Sequence, residues 1–166
     1  MTSQHQTSKQ YFTVLGILHI AMLMGQVIFL GVVFFILNSE GAALEADPAL
    51  ELIMQVGIAV FIVMGLFGGN FLFKRLVVTT REKSSLGEKL KAYQTACVVR
   101  FALLEAPAIL CIVAFFLTGN YFFAGLSLVV ILVFLMNRPT KTKLMMDLEL
   151  SGEEKTTLDD PEAVIH

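Results

Sequence analysis

Val14-Leu15-Gly16-Ile17-Leu18-His19-Ile20-Ala21 opens a run that meets no Asp, Glu, Lys or Arg before it ends at Leu37. As a helix rising about 1.5 Å per residue, its 24 residues exceed the roughly 30 Å of hydrocarbon in a bilayer. The run is also longer than the core of a cleaved signal peptide, and no Ala-x-Ala follows it, so it reads as a retained transmembrane helix. Three more apolar stretches follow, Leu52–Phe73, Ala96–Leu117 and Tyr121–Met136. The last has only 16 residues; to span, it must recruit the Gly119-Asn120 turn, thin the bilayer or let Arg138 snorkel. None of the four alternates apolar with polar, which excludes the strands of an outer-membrane barrel.

The composition of the 166-residue chain agrees. It is 56% hydrophobic and only 16% charged, well below the quarter typical of a soluble domain. A net charge of −2 leaves no basic excess to neutralise phosphates, so nucleic acid is not an expected partner. The bilayer is.

The twelve cations set the orientation. Lys9 precedes the first span; Lys74, Arg75, Arg81, Lys83, Lys89, Lys91 and Arg100 separate the second from the apolar part of the third; Arg138, Lys141, Lys143 and Lys155 follow the fourth. With four spans all twelve fall on one side, and the other side receives only Glu40, Glu45, Asp47 and Glu51. The positive-inside rule then puts both ends of the chain and its central loop in the cytoplasm. The three tyrosines, Tyr11, Tyr93 and Tyr121, each fall near an expected membrane edge, and with Arg100 they are expected to serve as interfacial anchors.

Lys9-x-Tyr11-x-Thr13 recurs as Lys91-x-Tyr93-x-Thr95, and with one residue of slip Phe34-Phe35 falls on Phe115-Phe116. This points to one helical hairpin used twice in parallel, as in proteins whose repeats share an axis along the membrane normal. The expected fold is therefore all-α, a four-helix membrane bundle built as a parallel tandem repeat. It divides into a cytoplasmic segment 1–10, hairpin 11–75, a helical linker 76–94, hairpin 95–138 and an acidic tail 139–166. Ser85-Leu86-Gly87-Glu88 has the capping-box form, so a helix is expected to start there and run through Tyr93 into the third span. Ser151-Gly152-Glu153-Glu154 offers a second box, and from Asp147 onward seven acids face one lysine, which suggests a solvated end.

Glu105 stands out because it lies in a membrane span. An ionised carboxylate at the bilayer centre costs about 2.5–3.5 kcal/mol on insertion scales, so it must be protonated, paired or wetted. Depth along the helices nominates Gln26 and Asn70 as its partners in an intramembrane polar cluster. Pro107, two residues on, cannot donate to the Leu103 carbonyl and is expected to kink the helix. Gly57, Gly65 and Gly69 recur at multiples of four in the second span, the pattern of close helix packing. No catalytic residue set is expected. Cys97 and Cys111 are fourteen residues apart on one helix, too far to bridge, and His5, His19 and His166 are isolated, so neither a metal nor another cofactor is expected.

The Arg100-to-Pro107 stretch with the Arg138-Pro139-Thr140 exit resembles small, uncharacterised four-helix integral membrane proteins of bacteria; that resemblance implies a fold and no chemistry. A more distant architectural similarity is to the duplicated-hairpin proteolipids of rotary ATPases. There the acid lies in the second helix of the hairpin and the hairpin loop faces the cytoplasm, unlike the arrangement expected here. The first expectation is a non-enzymatic accessory, assembly or homo-oligomeric subunit acting by helix packing. The alternative is a small proton- or cation-coupled transporter or channel that uses Glu105.

Overall fold

The structure, a computed structural model, describes residues 6–40 and 47–165; Glu45, His5 and His166 lie outside them. Helix α1 covers Ser8–Glu40. Helix α2, Pro48–Val63, passes through a π-helical turn at Met64–Gly68 into α3, Gly69–Arg81, so the three form one rod. Helix α4 is Leu86–Thr118 and α5 is Tyr121–Met136, followed by two short helices, α6 at Lys141–Asp147 and α7 at Gly152–Asp159. Strand β1, Gln6–Thr7, pairs antiparallel with β2, Val164–Ile165.

The protein is thus all-helical apart from that short pairing. Three of its rods are long and apolar enough to cross a membrane, and α5 with α6, joined at a 76° bend, makes a fourth candidate.

The starts of α2, α4, α5 and α7 carry the chemistry that local rules require. Asp47 accepts a hydrogen bond from the Ala49 amide at 2.9 Å, with Pro48 in the first turn where its missing N–H costs nothing. Ser85 accepts from the Glu88 amide, and α4 then runs unbroken for 33 residues into the apolar segment. Gly119 ends α4 at φ 65°, a left-handed position that a side chain would strain, and Asn120 caps α5 through the Phe122 amide at 2.8 Å. The box at Ser151 and Glu154 is closed in both directions.

Helix α4 is the hub. Helices α1, α2, α3 and α5 all pack on it, while α1 also leans on α5. Its inward residues include Phe101, Leu104, Ala108, Ile112 and Phe115, all at most 2% exposed. Helices α1 and α2 bury far less of their apolar surface within the chain.

The two ends of the bundle differ in chemistry. At one end β1 and β2 pair, the Ser8 hydroxyl donates to the Leu158 carbonyl at 2.7 Å, and Arg81 Nε donates to the Asp147 carbonyl at 2.8 Å. Ion pairs Lys89–Glu154 and Lys141–Asp159, each 2.7 Å, bind the same region together. At the other end Asn120 donates to the Glu51 carboxylate, and Tyr121 meets the Phe34 ring edge-on at 6.2 Å. The segments that bear the charged loops and both described chain ends therefore gather at a single end.

Among the described residues, the segment from Asp147 to Ile165 is packed down rather than solvated. Leu144, Leu148, Leu150 and Leu158 are all buried, in one cluster with Leu90 and Tyr93. Burying a leucine side chain contributes about 1.5–3 kcal/mol, enough to hold a short acidic segment down once cations face it. The result is a cap of two helices across one end of the bundle. Its turn is made by Glu149, which adopts φ 51° and whose carboxylate pairs with Arg81.

Candidate functional site

The seam between the α2–α3 rod and α4 carries most of the unusual chemistry. A proline inside a helix leaves the carbonyl four residues earlier without its amide donor. In α4 that proline is Pro107 and that carbonyl belongs to Leu103. Opposite them lies the π-helical turn, with Gly65 buried against the exposed acceptor. A Cβ built on Gly65 would fall 2.6 Å from the Leu103 oxygen and 3.0 Å from Pro107 Cγ, so only glycine fits without movement. The close approach leaves the Leu103 oxygen against the glycine Cα, the setting of a weak C–H···O contact. One turn on, a Cβ at Gly69 would meet Leu103 Cβ at 3.4 Å, an ordinary contact. At Gly57, by contrast, an added Cβ would meet nothing within 4 Å among the described residues.

Farther along the same seam, Arg100 Nη2 donates to Asn70 Oδ1 at 2.7 Å, and the guanidinium lies over the Phe73 ring at 4.8 Å. Phe73 in turn meets Tyr93 edge-on at 5.8 Å. Gly65 opposite Pro107, Gly69 opposite Leu103 and Asn70 beside Arg100 define an antiparallel zipper.

The proposed cluster of Glu105, Gln26 and Asn70 is not assembled by hydrogen bonds. Asn70 is exposed and engaged by Arg100. Gln26 is 1% exposed, and neither its Nε2 nor its Oε1 has a partner among the described residues. Glu105 is half-buried and makes no side-chain hydrogen bond or ion pair among them. Counting residues from a membrane edge gives height along a helix but not direction around it. Arg100 and Glu105 are five residues apart, about 140° on the wheel, so an asparagine facing one cannot face the other.

His19 was not singled out as a site residue, yet it is as buried as Gln26, at 1%. It lies seven residues before Gln26, on the same face of α1. Its ring stacks on Phe134 at 4.7 Å and tilts against Phe101 at 4.9 Å, and neither ring nitrogen has a partner among the described residues. The seven-residue spacing was visible in the sequence; the aromatic sandwich was not.

The anchor assignments divide. Tyr121 is 60% exposed at the bundle end. Tyr11 and Tyr93 are each 2% exposed and do not reach outward as membrane-edge tyrosines would. The Tyr11 hydroxyl donates to the Leu90 carbonyl at 2.8 Å, and that of Tyr93 to Asp147 Oδ2 at 2.9 Å. They fasten α1 to α4 and α4 to the cap because those later segments cover the edge where their rings stand. Arg100, likewise, is occupied by Asn70 and Phe73 rather than extended freely to the surface. The threonines of the two Lys-x-Tyr-x-Thr segments behave alike: Thr13 donates to the Lys9 carbonyl at 2.8 Å and Thr95 to that of Lys91 at 3.1 Å.

In the cap, a hydrogen bond from the Lys89 ammonium holds the Glu154 carboxyl below the usual carboxylate range. Cys97 and Cys111 are free and buried. Among the described residues no group of three or more His, Cys, Asp or Glu side chains converges as a metal site would require. No protein-family model, curated protein or solved structure matches the chain.

Proposed function

We propose that this chain is a non-enzymatic, multi-pass protein of the bacterial inner membrane, an accessory or assembly subunit that joins a second copy or another membrane protein by helix packing. The observation that carries the reading is the position of Glu105. It stands on the outer stripe of α4 with exposed Ala102, Ile109 and Phe116, at membrane depth and with no partner among the described residues. In hydrocarbon such a carboxyl costs several kcal/mol unless a neighbouring helix supplies a donor. The small Ala102 and Ala106 beside it let a helix approach closely enough to do so. The broad apolar faces of α1 and α2 give further area for such contact.

In this reading the capped, cation-bearing end faces the cytoplasm, as the positive-inside rule asks, and the shared Lys-x-Tyr-x-Thr entries descend from a duplicated hairpin. The competing reading makes Glu105 a proton or cation carrier, which requires the carboxyl to titrate.

Extraction in mild detergent followed by native mass measurement separates the two, using wild type, Glu105→Gln and Glu105→Leu. The subunit reading expects a defined assembly that survives the glutamine, which still accepts and donates, and dissociates with the leucine. A bare monomer that no partner accompanies, with a carbodiimide label on Glu105 that depends on pH, would move the assignment to transport.

A further inference from the structure

Arg100 stands in the first turns of the third apolar stretch, and its guanidinium is incompletely used. An arginine has five N–H donors in a planar fork. Here Nη2 donates to Asn70 at 2.7 Å, and Nε is buried without a hydrogen-bond partner among the described residues. The Phe73 ring under the guanidinium fixes its plane. The ion pairs among the described residues engage Arg81, Lys89 and Lys141, and Arg100 takes part in none. Asp147 forms no ion pair with it among the described residues and accepts the Tyr93 hydroxyl at Oδ2.

Arg100 is itself partly exposed, and its neighbours open outward. Asn70 is exposed, and so is Lys74, one turn away on the same face of α3. Lys74 also borders a shallow groove of about 710 Å³ along α3, walled by Phe71, Leu72 and Val78 with Arg75 at its rim. Phe67 and Phe71, at the same level of the rod, are 72% and 63% exposed, so the approach to Asn70 runs over an apolar surface.

We propose that Arg100, Asn70 and Lys74 seat the phosphate of an anionic phospholipid at the outer edge of the α3–α4 seam. The guanidinium fork and the ammonium supply charge and donors to the phosphate oxygens, and Asn70 holds the fork in register. The acyl chains lie along the phenylalanine-lined rod. Free phosphate offers the same oxygens, but it must leave water to reach a site bounded by exposed aromatic rings; the headgroup arrives with the bilayer. The inference does not depend on Glu105 meeting a partner.

The test uses the full chain, purified in mild detergent and titrated with phosphatidylglycerol, phosphatidylcholine or inorganic phosphate, with bound lipid counted by native mass spectrometry. Phosphatidylglycerol is expected to be retained and phosphatidylcholine not. Each lost cation near an anionic surface weakens binding about fivefold, so Lys74→Gln and Arg100→Gln are each expected to show that loss. Arg100→Lys, which keeps charge and loses the fork, should fall between. Lys91→Gln removes an exposed charge from the same end of the bundle and is expected to change nothing. Lys74 is exposed, so its variant remains informative if Arg100→Gln does not fold. Equal retention by wild type and Lys74→Gln overturns the seat, as does an equal loss in Lys91→Gln, which would mean diffuse attraction. Inorganic phosphate competing at the same strength would overturn the lipid as its occupant.

Discussion

Replacing Gly65 with alanine adds one methyl group at the tightest point of the bundle. Its carbon would lie 2.6 Å from the Leu103 oxygen and 3.0 Å from Pro107 Cγ. The first of these neighbours is backbone and the second belongs to a ring, so neither can swing aside. Overpacking of this kind costs about 1–3 kcal/mol. Alanine recovers up to about 1 kcal/mol because it is the better helix former. The balance is a loss of roughly 0–2 kcal/mol. Gly57→Ala receives the same propensity gain with nothing within 4 Å, so it is expected to be neutral or slightly stabilising. Gly69→Ala, meeting only an ordinary contact, should fall between the two. Reversible unfolding in mixed micelles would give the three values on one scale. If Gly65→Ala is as stable as Gly57→Ala, the notch against Pro107 does not hold these helices together.

Three further outcomes follow from the core and the cap. Leu158→Ala empties a fully buried site and is expected to cost about 2–5 kcal/mol of cap stability, seen as faster proteolysis between α6 and α7 while the spanning helices stay protected. Gln26→Leu removes a buried amide that has no partner among the described residues, so it should be neutral or stabilising; a loss above about 1 kcal/mol would reveal a partner for that amide. Glu154 has a depressed carboxyl pKa in the fold, so its contribution is complete above the unfolded value of about 4.3 and disappears as pH falls through the folded one. Hydrogen exchange in α7 should therefore show Glu154→Gln less protected than wild type by about 1 kcal/mol at neutral pH, with the two converging in acid.

What the sequence revealed was what depends on local chemistry. The fourth apolar run, Tyr121–Met136, coincides with α5, and the serine at position 85 starts a helix that continues through Tyr93 to Thr118. Apolar length and capping are properties of neighbouring residues, so both were readable. Azimuth around a helix was not. Asn70 was placed by height near Glu105, while the zipper set by Gly65, Gly69 and Pro107 turns it toward Arg100.

The cap was hidden by its charge. Seven acids suggested solvation, but Leu144 and Leu148 are four apart on one helical face, and Leu158 sits alone among polar residues. Those leucines, opposite Lys89 and Arg81, were the available signal. The hydrogen bonds of Tyr11 and Tyr93 were hidden for a like reason: a tyrosine at a membrane edge and one beneath a cap have the same sequence address.

The account rests on a bilayer crossed so that the capped end lies inside and the Asn120 end outside. Cysteines introduced at Lys91, at Glu162 and at Ser39, all exposed, can be labelled with a membrane-impermeant maleimide in right-side-out and inverted vesicles, the buried Cys97 and Cys111 serving as internal blanks. Labelling of Lys91→Cys and Glu162→Cys only in inverted vesicles, and of Ser39→Cys only in right-side-out ones, is the predicted result. Labelling of positions 39 and 91 from the same face would contradict it.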